Sequence, residues 1–460
     1  MQKPSFPEDK AKKENILSIK CQFLLWSCVL TPISIIIGTI VVIILIRYQS
    51  SFSSINIKYD IGTTPVLKRT TKTTQMQIIS TEGNNKIVSD VNKNICLVTT
   101  SISRNISNTN SSRIPCSSLK FSSYASYSAK SGVQSISTGY LDADSFLDIV
   151  VVNRGAGSIG IYYGSANGKF QNAKIISTTS YVMYVVIKDM NNDNKSDILL
   201  IDGILNELVI LINKGNQNFN SAITYPVGNY PYWIDTGDFN KNNLTDVVVV
   251  NDQDATVTVL YDYYNLSFSY SKIYLVGNDV TAVSVADFNN DSYPDLVTTD
   301  FSDNTISVLI NAKNGTFKNR KTYFTSIGPW AVASADLNND KFIDIVNTND
   351  ESSTLSVLLN DGYGNFNGWD TYYIGGAPRT VALADLNNDT FIDIIAANWN
   401  DAYVYIFLNL QNGKFQTYQR FNTDKWIYAV TTGDFNQDGK IDIALITTYS
   451  NTLNVLLNQC

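Results

Sequence analysis

The stretch Asp385-Leu386-Asn387-Asn388-Asp389-Thr390-Phe391-Ile392-Asp393 decides the architecture of this chain, because near-copies of it recur at a fixed interval. The equivalent first positions are Tyr140, Asp189, Asp238, Asp287, Asp336, Asp385 and Asp434, each 49 residues from the next. A period of that length marks a repeat architecture, in which each unit must stack on its neighbours to bury its apolar faces. Seven such units take up 343 of the 460 residues, and the 117 in front hold everything else.

Within the unit that begins near Tyr323, the runs are Val332-Ala333-Ser334-Ala335-Asp336, then Ile343-Asp344-Ile345-Val346, then Leu355-Ser356-Val357-Leu358-Leu359-Asn360, then Phe366 and a further extended segment. Four short β-type runs separated by polar turns, repeated seven times, predict an all-β fold, a seven-bladed β-propeller of four-stranded blades. A composition rich in Asn, Ser, Thr, Ile, Val and Tyr, with 16% charged residues, suits short strands better than helices. A framework aromatic at Phe121, Phe170, Phe219, Phe268, Phe317, Phe366 and Phe415 keeps the same step. Phe121 lies before the first loop and the last unit stops after its third strand, so the segment around Lys120-Phe121 is expected to supply the outer strand of the last blade. In repeat phase Cys116 and Cys460 fall in the same tight connection, where a disulfide is geometrically reasonable and would lock the clasp in an oxidising compartment. Cys96 competes for either partner.

Residues 1–20 form a polar tail with five lysines, expected to be cytosolic. Residues 21–46 carry no charge and are long enough to span a bilayer as a transmembrane helix, with Cys21 and Cys28 as small apolar residues inside it. The lysine bias places the C-terminal domain outside a plasma membrane crossed once. The apolar run exceeds an ordinary signal-peptide core, and Arg47-Tyr48-Gln49 offers no small-residue cleavage site, so a retained signal anchor is expected over a cleaved one. Residues 47–115 read as a Ser/Thr/Asn-rich stalk with glycosylation sequons at Asn105 and Asn110, or as a disordered linker. The propeller occupies 116–460; its sequons at Asn265 and Asn314 lie in turns other than the acidic loops.

A net charge of −7 gives no basic face for nucleic acid. The absence of histidine removes His-based acid/base catalysis, His-assisted nucleophiles and His metal ligands together. Each loop places side-chain oxygens at relative positions 1, 3, 5 and 9, with an apolar residue at 2. Alternate side chains of a tightly curled loop converge on one point, and hard oxygens at that spacing suit calcium. The full set occurs at Asp189, Asn191, Asp193 and Asp197; at Asp287, Asn289, Asp291 and Asp295; and at Asp336, Asn338, Asp340 and Asp344. It recurs at Asp385, Asn387, Asp389 and Asp393, and at Asp434, Asn436, Asp438 and Asp442. Tyr140 replaces the first ligand ahead of Asp142, Asp144 and Asp148, and Asn242 replaces the third between Asn240 and Asp246. Five good sites and two weak or empty ones are expected.

With these motifs in place, residues 118–460 resemble the FG-GAP/VCBS repeat family, whose propellers include the head domain of integrin alpha subunits. The resemblance implies calcium loops on one face and ligand binding commonly on the opposite one, and leaves the activity open.

Recognition is therefore sought where the repeats differ. Six residues before each loop stand Gln134, Met183, Tyr232, Thr281, Trp330, Arg379 and Tyr428; six after each closing Asp stand Arg154, Gly203, Asp252, Phe301, Asp350, Trp399 and Thr448. Both sets belong to connections on the face away from the acidic loops. Tyr232, Trp330, Arg379, Tyr428, Phe301 and Trp399 are expected either to form a binding surface for an extracellular glycan or protein, or to pack between blades. The leading expectation is a non-enzymatic cell-surface binding or adhesion protein. The alternatives are a calcium-dependent, polysaccharide lyase-like enzyme using Lys, Tyr or Arg near the channel, and a structural spacer.

Overall fold

The computed structural model describes residues 116–460, apart from 117, 118, 123, 124 and 180 and the side chain of Asn319. Ahead of them only short backbone strands are described, among them Ile35–Ile37 paired antiparallel with Ile40–Ile44. No helix is described within the expected span 21–46; apart from such short strands, that span, the tail and the stalk lie outside the described residues. Among the described residues no helix is long and apolar enough to cross a membrane.

The repeat region forms seven antiparallel four-stranded sheets arranged as the blades of a propeller. Their inner strands are Val133–Gly139, Val182–Lys188, Pro231–Gly237, Val280–Ala286, Pro329–Ala335, Pro378–Ala384 and Ile427–Gly433, numbered here as blades 1 to 7. Each inner strand packs on the next, and that of blade 7 packs on that of blade 1, which closes the ring.

Burial follows from stacking. The second strand of every blade has six residues, all buried, as in Asp246–Asn251 with its run Val247-Val248-Val249-Val250. β-branched side chains suit such a strand because their stiff χ1 costs little where the pleat is covered on both sides. In blade 1, Val150 and Val152 pack with Val182, Val185 and Leu200 of blade 2. Ile149 and Val151 face Ala444, Ile446 and Val455 of blade 7. The cores therefore lie between blades.

Blade 7 is completed from the front of the repeat region. Ala125–Ser128 pairs antiparallel with Thr452–Val455 as its outer strand, and Phe121 bridges Asn458. Cys116 and Cys460 form a disulfide with Cα atoms 5.9 Å apart, closing a separation of 344 residues.

One carboxylate per blade holds the acidic loop to the sheet. The closing Asp (148, 197, 246, 295, 344, 393 and 442) is fully buried in all seven blades. Its Oδ2 accepts the backbone N–H of loop position 2, at 2.7–3.0 Å. Its Oδ1 accepts the N–H of the residue 16 positions later, at 2.7–2.9 Å. In five blades that later residue is an asparagine whose Nδ2 latches the blade to its predecessor. Asn213, Asn311, Asn360, Asn409 and Asn458 donate to the carbonyls of Leu141, Phe239, Phe288, Leu337 and Leu386 at 2.7–2.9 Å. Each also donates to a carbonyl of its own loop, such as Ile392 at 2.9 Å from Asn409.

Blades 1 and 3 break this pattern. Gly164 stands in the asparagine position of blade 1, where a Cβ would lie 2.3 Å from the Leu147 carbonyl oxygen. The junction of blades 7 and 1 is bridged instead by Gln437 Nε2 donating to the Ser145 carbonyl and hydroxyl. Blade 3 carries Asp262 at the asparagine position.

Replacing Asn409 by Ala strands two buried carbonyls, Leu337 O and Ile392 O. Each buried unsatisfied acceptor costs about 1–3 kcal/mol, so a loss of about 2–4 kcal/mol is expected in a urea titration with unchanged slope. A loss below about 0.5 kcal/mol would contradict the latch.

Candidate functional site

The two ends of the inner strands define two different surfaces. At their C-terminal ends lie the acidic loops. In six of them the same net of bonds appears: the position-5 N–H donates to Oδ1 of positions 1 and 3, and the position-6 N–H to Oδ2 of position 1. In the Asp385 loop these distances are 3.0, 3.0 and 2.8 Å. Positions 4 and 6 sit in the left-handed region, as Asn388 and Thr390 do at φ 63° and 74°. Six loops thus share one curl, drawn in by their own Asx side chains. The position-2 side chains, from Leu141 to Phe435, are buried beneath.

The donor set is hard oxygen, and its charges are crowded. Burial pushes the closing carboxyls up to about 6 in Asp197, Asp344 and Asp442 and to about 7 in Asp295 and Asp393. The backbone N–H groups pull the other way, and the carboxylates at positions 1 and 5 add to the rise. Lysines reach position 5 in three loops: Lys195 on Asp193 at 3.0 Å, Lys313 on Asp291 at 3.6 Å and Lys440 on Asp438 at 4.0 Å. Such solvated pairs hold little energy. Carboxylates that repel one another, in loops whose side-chain donors are all oxygen, fit a hard divalent cation by chemistry.

The two degenerate loops differ from each other. In blade 3, Asp262 is at φ 60° and folds back on its own loop. Its Oδ1 accepts Nδ2 of both Asn240 and Asn242 at 2.7 Å. The Oδ1 of Asn240 and of Asn242 keeps its place in the shared curl, and in blades 5, 6 and 7 the position-3 Nδ2 likewise donates to a carboxylate, that of position 5, at 2.9–3.2 Å. Blade 3 differs in having a second amide at position 5 and a carboxylate supplied from beyond the third strand. In blade 1, Tyr140 is 52% exposed, and Ala143 and Ser145 are absent from the left-handed region. Oxygens of Asp142, Asp144 and Asp148 nonetheless lie within 4.8 Å of one another, with Gln217 of blade 2 donating to Asp142 Oδ2 at 3.0 Å. Among the described residues this is the one set of three acidic side chains so gathered: the loop expected to be weak or empty shows a convergence of carboxylates that the five loops expected to be good sites do not.

At the opposite ends of the inner strands the six singled-out residues come together. Trp330 is met edge-on by Tyr232 at 5.8 Å and Phe301 at 5.6 Å between ring centroids. The Arg379 guanidinium lies 4.4 Å from the Trp330 ring and 5.5 Å from that of Trp399, and Nη2 pairs with Asp350 at 3.1 Å. Trp399 meets Tyr428 at 5.1 Å, and the Tyr428 hydroxyl accepts Gln134 Nε2. All six are half-buried. The axial cavity lined by Gln134, Met183, Tyr232, Trp330, Arg379 and Tyr428 measures about 60 Å³, room for a few waters and too small for a sugar ring. At the axis, therefore, these side chains pack on one another.

The exposed part of the surface lies to one side, on residues the repeat comparison passed over. Trp426 is 43% and Tyr449 64% exposed. Trp426 lies nearly parallel to Trp399, at 14° with centroids 6.3 Å apart, and Tyr449 meets it edge-on at 5.3 Å. Across the ring, the Arg154 guanidinium covers Tyr181 at 3.8 Å, and the Tyr181 and Tyr230 hydroxyls are 3.1 Å apart. The signal was available two residues upstream of the first set examined: the positions equivalent to Trp426 hold Gly132, Tyr181, Tyr230, Asp279, Gly328 and Ala377.

Among solved structures, the chain is similar to BBS1N in complex with ARL6DN, at 12% identity and a TM-score of 0.55 over 74% of this chain and 96% of that one. It is also similar to virginiamycin B lyase from Staphylococcus aureus, at 13% identity and a TM-score of 0.51 over 74% and 99%. At these identities the likeness concerns the fold alone. No curated protein matches the chain. The FG-GAP-like repeat matches six times in overlapping register, over residues 140–200, 189–249, 238–298, 287–347, 336–396 and 385–445. The chain belongs to the FG-GAP-like repeat family.

Proposed function

We propose that this chain is a non-enzymatic cell-surface binding or adhesion protein whose propeller engages an extracellular glycan or protein ligand on the face away from the acidic loops. The observation that carries the reading is that Tyr232, Phe301, Trp330, Arg379, Trp399 and Tyr428, all from positions where the repeats differ, gather into one half-buried aromatic cluster that continues outward into the exposed Trp426 and Tyr449. Rigid aromatics and arginine are the residue types that dominate recognition surfaces. Display at a plasma membrane rests on sequence alone, on the uncharged run 21–46 followed by the stalk.

Calcium in this reading is a structural cofactor held by the loops of blades 2, 4, 5, 6 and 7. A constellation repeated in blade after blade belongs to the scaffold, and the side chains that would hold the ion are already curled by their own hydrogen bonds. At about 1 mM calcium, sites with dissociation constants of about 0.1–1 mM add about 0.4–1.4 kcal/mol each. Five such sites raise the melting midpoint of a domain this size by roughly 3–10 °C.

Two measurements follow. Chelation is expected to lower the melting midpoint of the full chain by that amount and to weaken its adhesion to ligand-bearing cells, both reversed by calcium; adhesion that never occurs while the fold is intact would sink the reading. In a calorimetric titration, the double change Asn242→Asp with Asp262→Asn is expected to add one calcium ion to the wild-type stoichiometry. An unchanged stoichiometry would show that the amides of blade 3 are not what excludes the ion.

A further inference from the structure

The axial centre of the aromatic face is packed shut, so a ligand of any size must be met at its margin. Two indoles and a phenol stand there at the junction of blades 6 and 7. Trp399 and Trp426 are nearly parallel, and their 6.3 Å centroid separation exceeds the ~3.5–4 Å of direct face-to-face contact. Together they make an aromatic floor whose exposed part is Trp426. Tyr449, perpendicular to Trp426 at 88°, forms a wall beside it.

The backbone holds this floor in place at some cost. Trp426 sits at φ 62°, in the left-handed region, and its counterparts Gly132, Tyr230, Asp279 and Gly328 sit there too, at φ 69°, 51°, 50° and 72°. The conformation is over-determined by its neighbours: Trp426 N–H donates to the Asp401 carbonyl at 3.2 Å, and its own carbonyl accepts Thr448 N–H at 3.0 Å. Glycine, aspartate and tyrosine all serve the fold at the equivalent positions, so the turn itself does not call for an exposed tryptophan.

Two charged side chains at the corner, Arg379 and Asp401, are already engaged. Arg379 is paired with Asp350. Asp401 accepts Asn398 Nδ2 at 3.0 Å, the Tyr405 hydroxyl at 2.6 Å and Tyr403 N–H at 3.1 Å. Asp424 and Lys425 are sequence neighbours of opposite sign. The rim of the platform is polar, with Asn400 and Ser450 exposed. A ligand matched to such a place has a flat apolar underside, polar groups around its edge and no net charge.

We propose that Trp399, Trp426 and Tyr449 form a stacking site for an uncharged pyranose ring of a neutral oligosaccharide. This rests on the reading of the face as a binding surface and commits it to one ligand class and one place. The test uses the full chain in detergent micelles, screened against immobilised neutral and acidic oligosaccharides of glucose, galactose, mannose and N-acetylglucosamine, then titrated with the best neutral binder while tryptophan fluorescence is followed. Trp426→Gly and Trp399→Ala are expected to weaken binding at least ~10-fold. Trp426→Gly should do so with an unchanged or raised melting midpoint, and Trp369→Ala, an exposed tryptophan outside the platform, should leave binding unaltered. Retained affinity in Trp426→Gly overturns the proposal, as does binding confined to acidic sugars and abolished by salt. Adhesion to cells or to a protein without any neutral oligosaccharide binding overturns the stacking site and leaves the wider reading standing; the absence of every kind of binding by the folded chain removes both.

Discussion

In every blade a buried aspartate spends both carboxylate oxygens on backbone N–H groups, one from the acidic loop and one from the end of the third strand. A carboxylate at zero exposure is costly unless its charge is met, and two short backbone bonds meet part of it. This single side chain ties the loop, the second strand and the third strand into one unit. The loop's position-2 residue is thereby carried inward to the inter-blade core, and the third strand's end is brought to where its side chain can reach the preceding blade.

The rest of the architecture depends on what stands at that end. Asparagine there joins consecutive blades through two carbonyls, and five of the seven junctions are made this way. Gly164 denies the latch to the junction of blades 7 and 1, where the two ends of the repeat region meet, and a clasped sheet, a disulfide and a loop-to-loop glutamine contact take its place. Asp262 denies it to the junction of blades 2 and 3 and turns its charge into its own loop. The acidic face is thus a repeated fastening system with two local exceptions, and its conservation of form from blade to blade leaves the opposite face free to vary.

Much of this was legible in the sequence because a 49-residue period makes every unit a control for the others. The number of blades, the outer strand supplied to blade 7 and the burial of the position-2 residues all follow from repeat phase. Other features were illegible for a physical reason: they join residues that only the closed ring brings together. The Asn409 side chain meets Leu337 from 72 positions away, and Asp262 answers Asn240 and Asn242 only because blade 3 bends at φ 60°. The left-handed backbone of Trp426 is likewise invisible in composition, although its glycine counterparts mark the position. The expected membrane span lies largely outside the described residues.

We propose that the acidic loops are cation-held scaffold and that in blade 3 the Asp262 carboxylate stands in for the ion. Backbone hydrogen exchange on the full chain, with and without about 1 mM calcium, tests it blade by blade. The account predicts added protection at residues 189–197, 287–295, 336–344, 385–393 and 434–442, and none at 238–246. Equal protection of the 238–246 loop, or protection confined to the aromatic face, would contradict it.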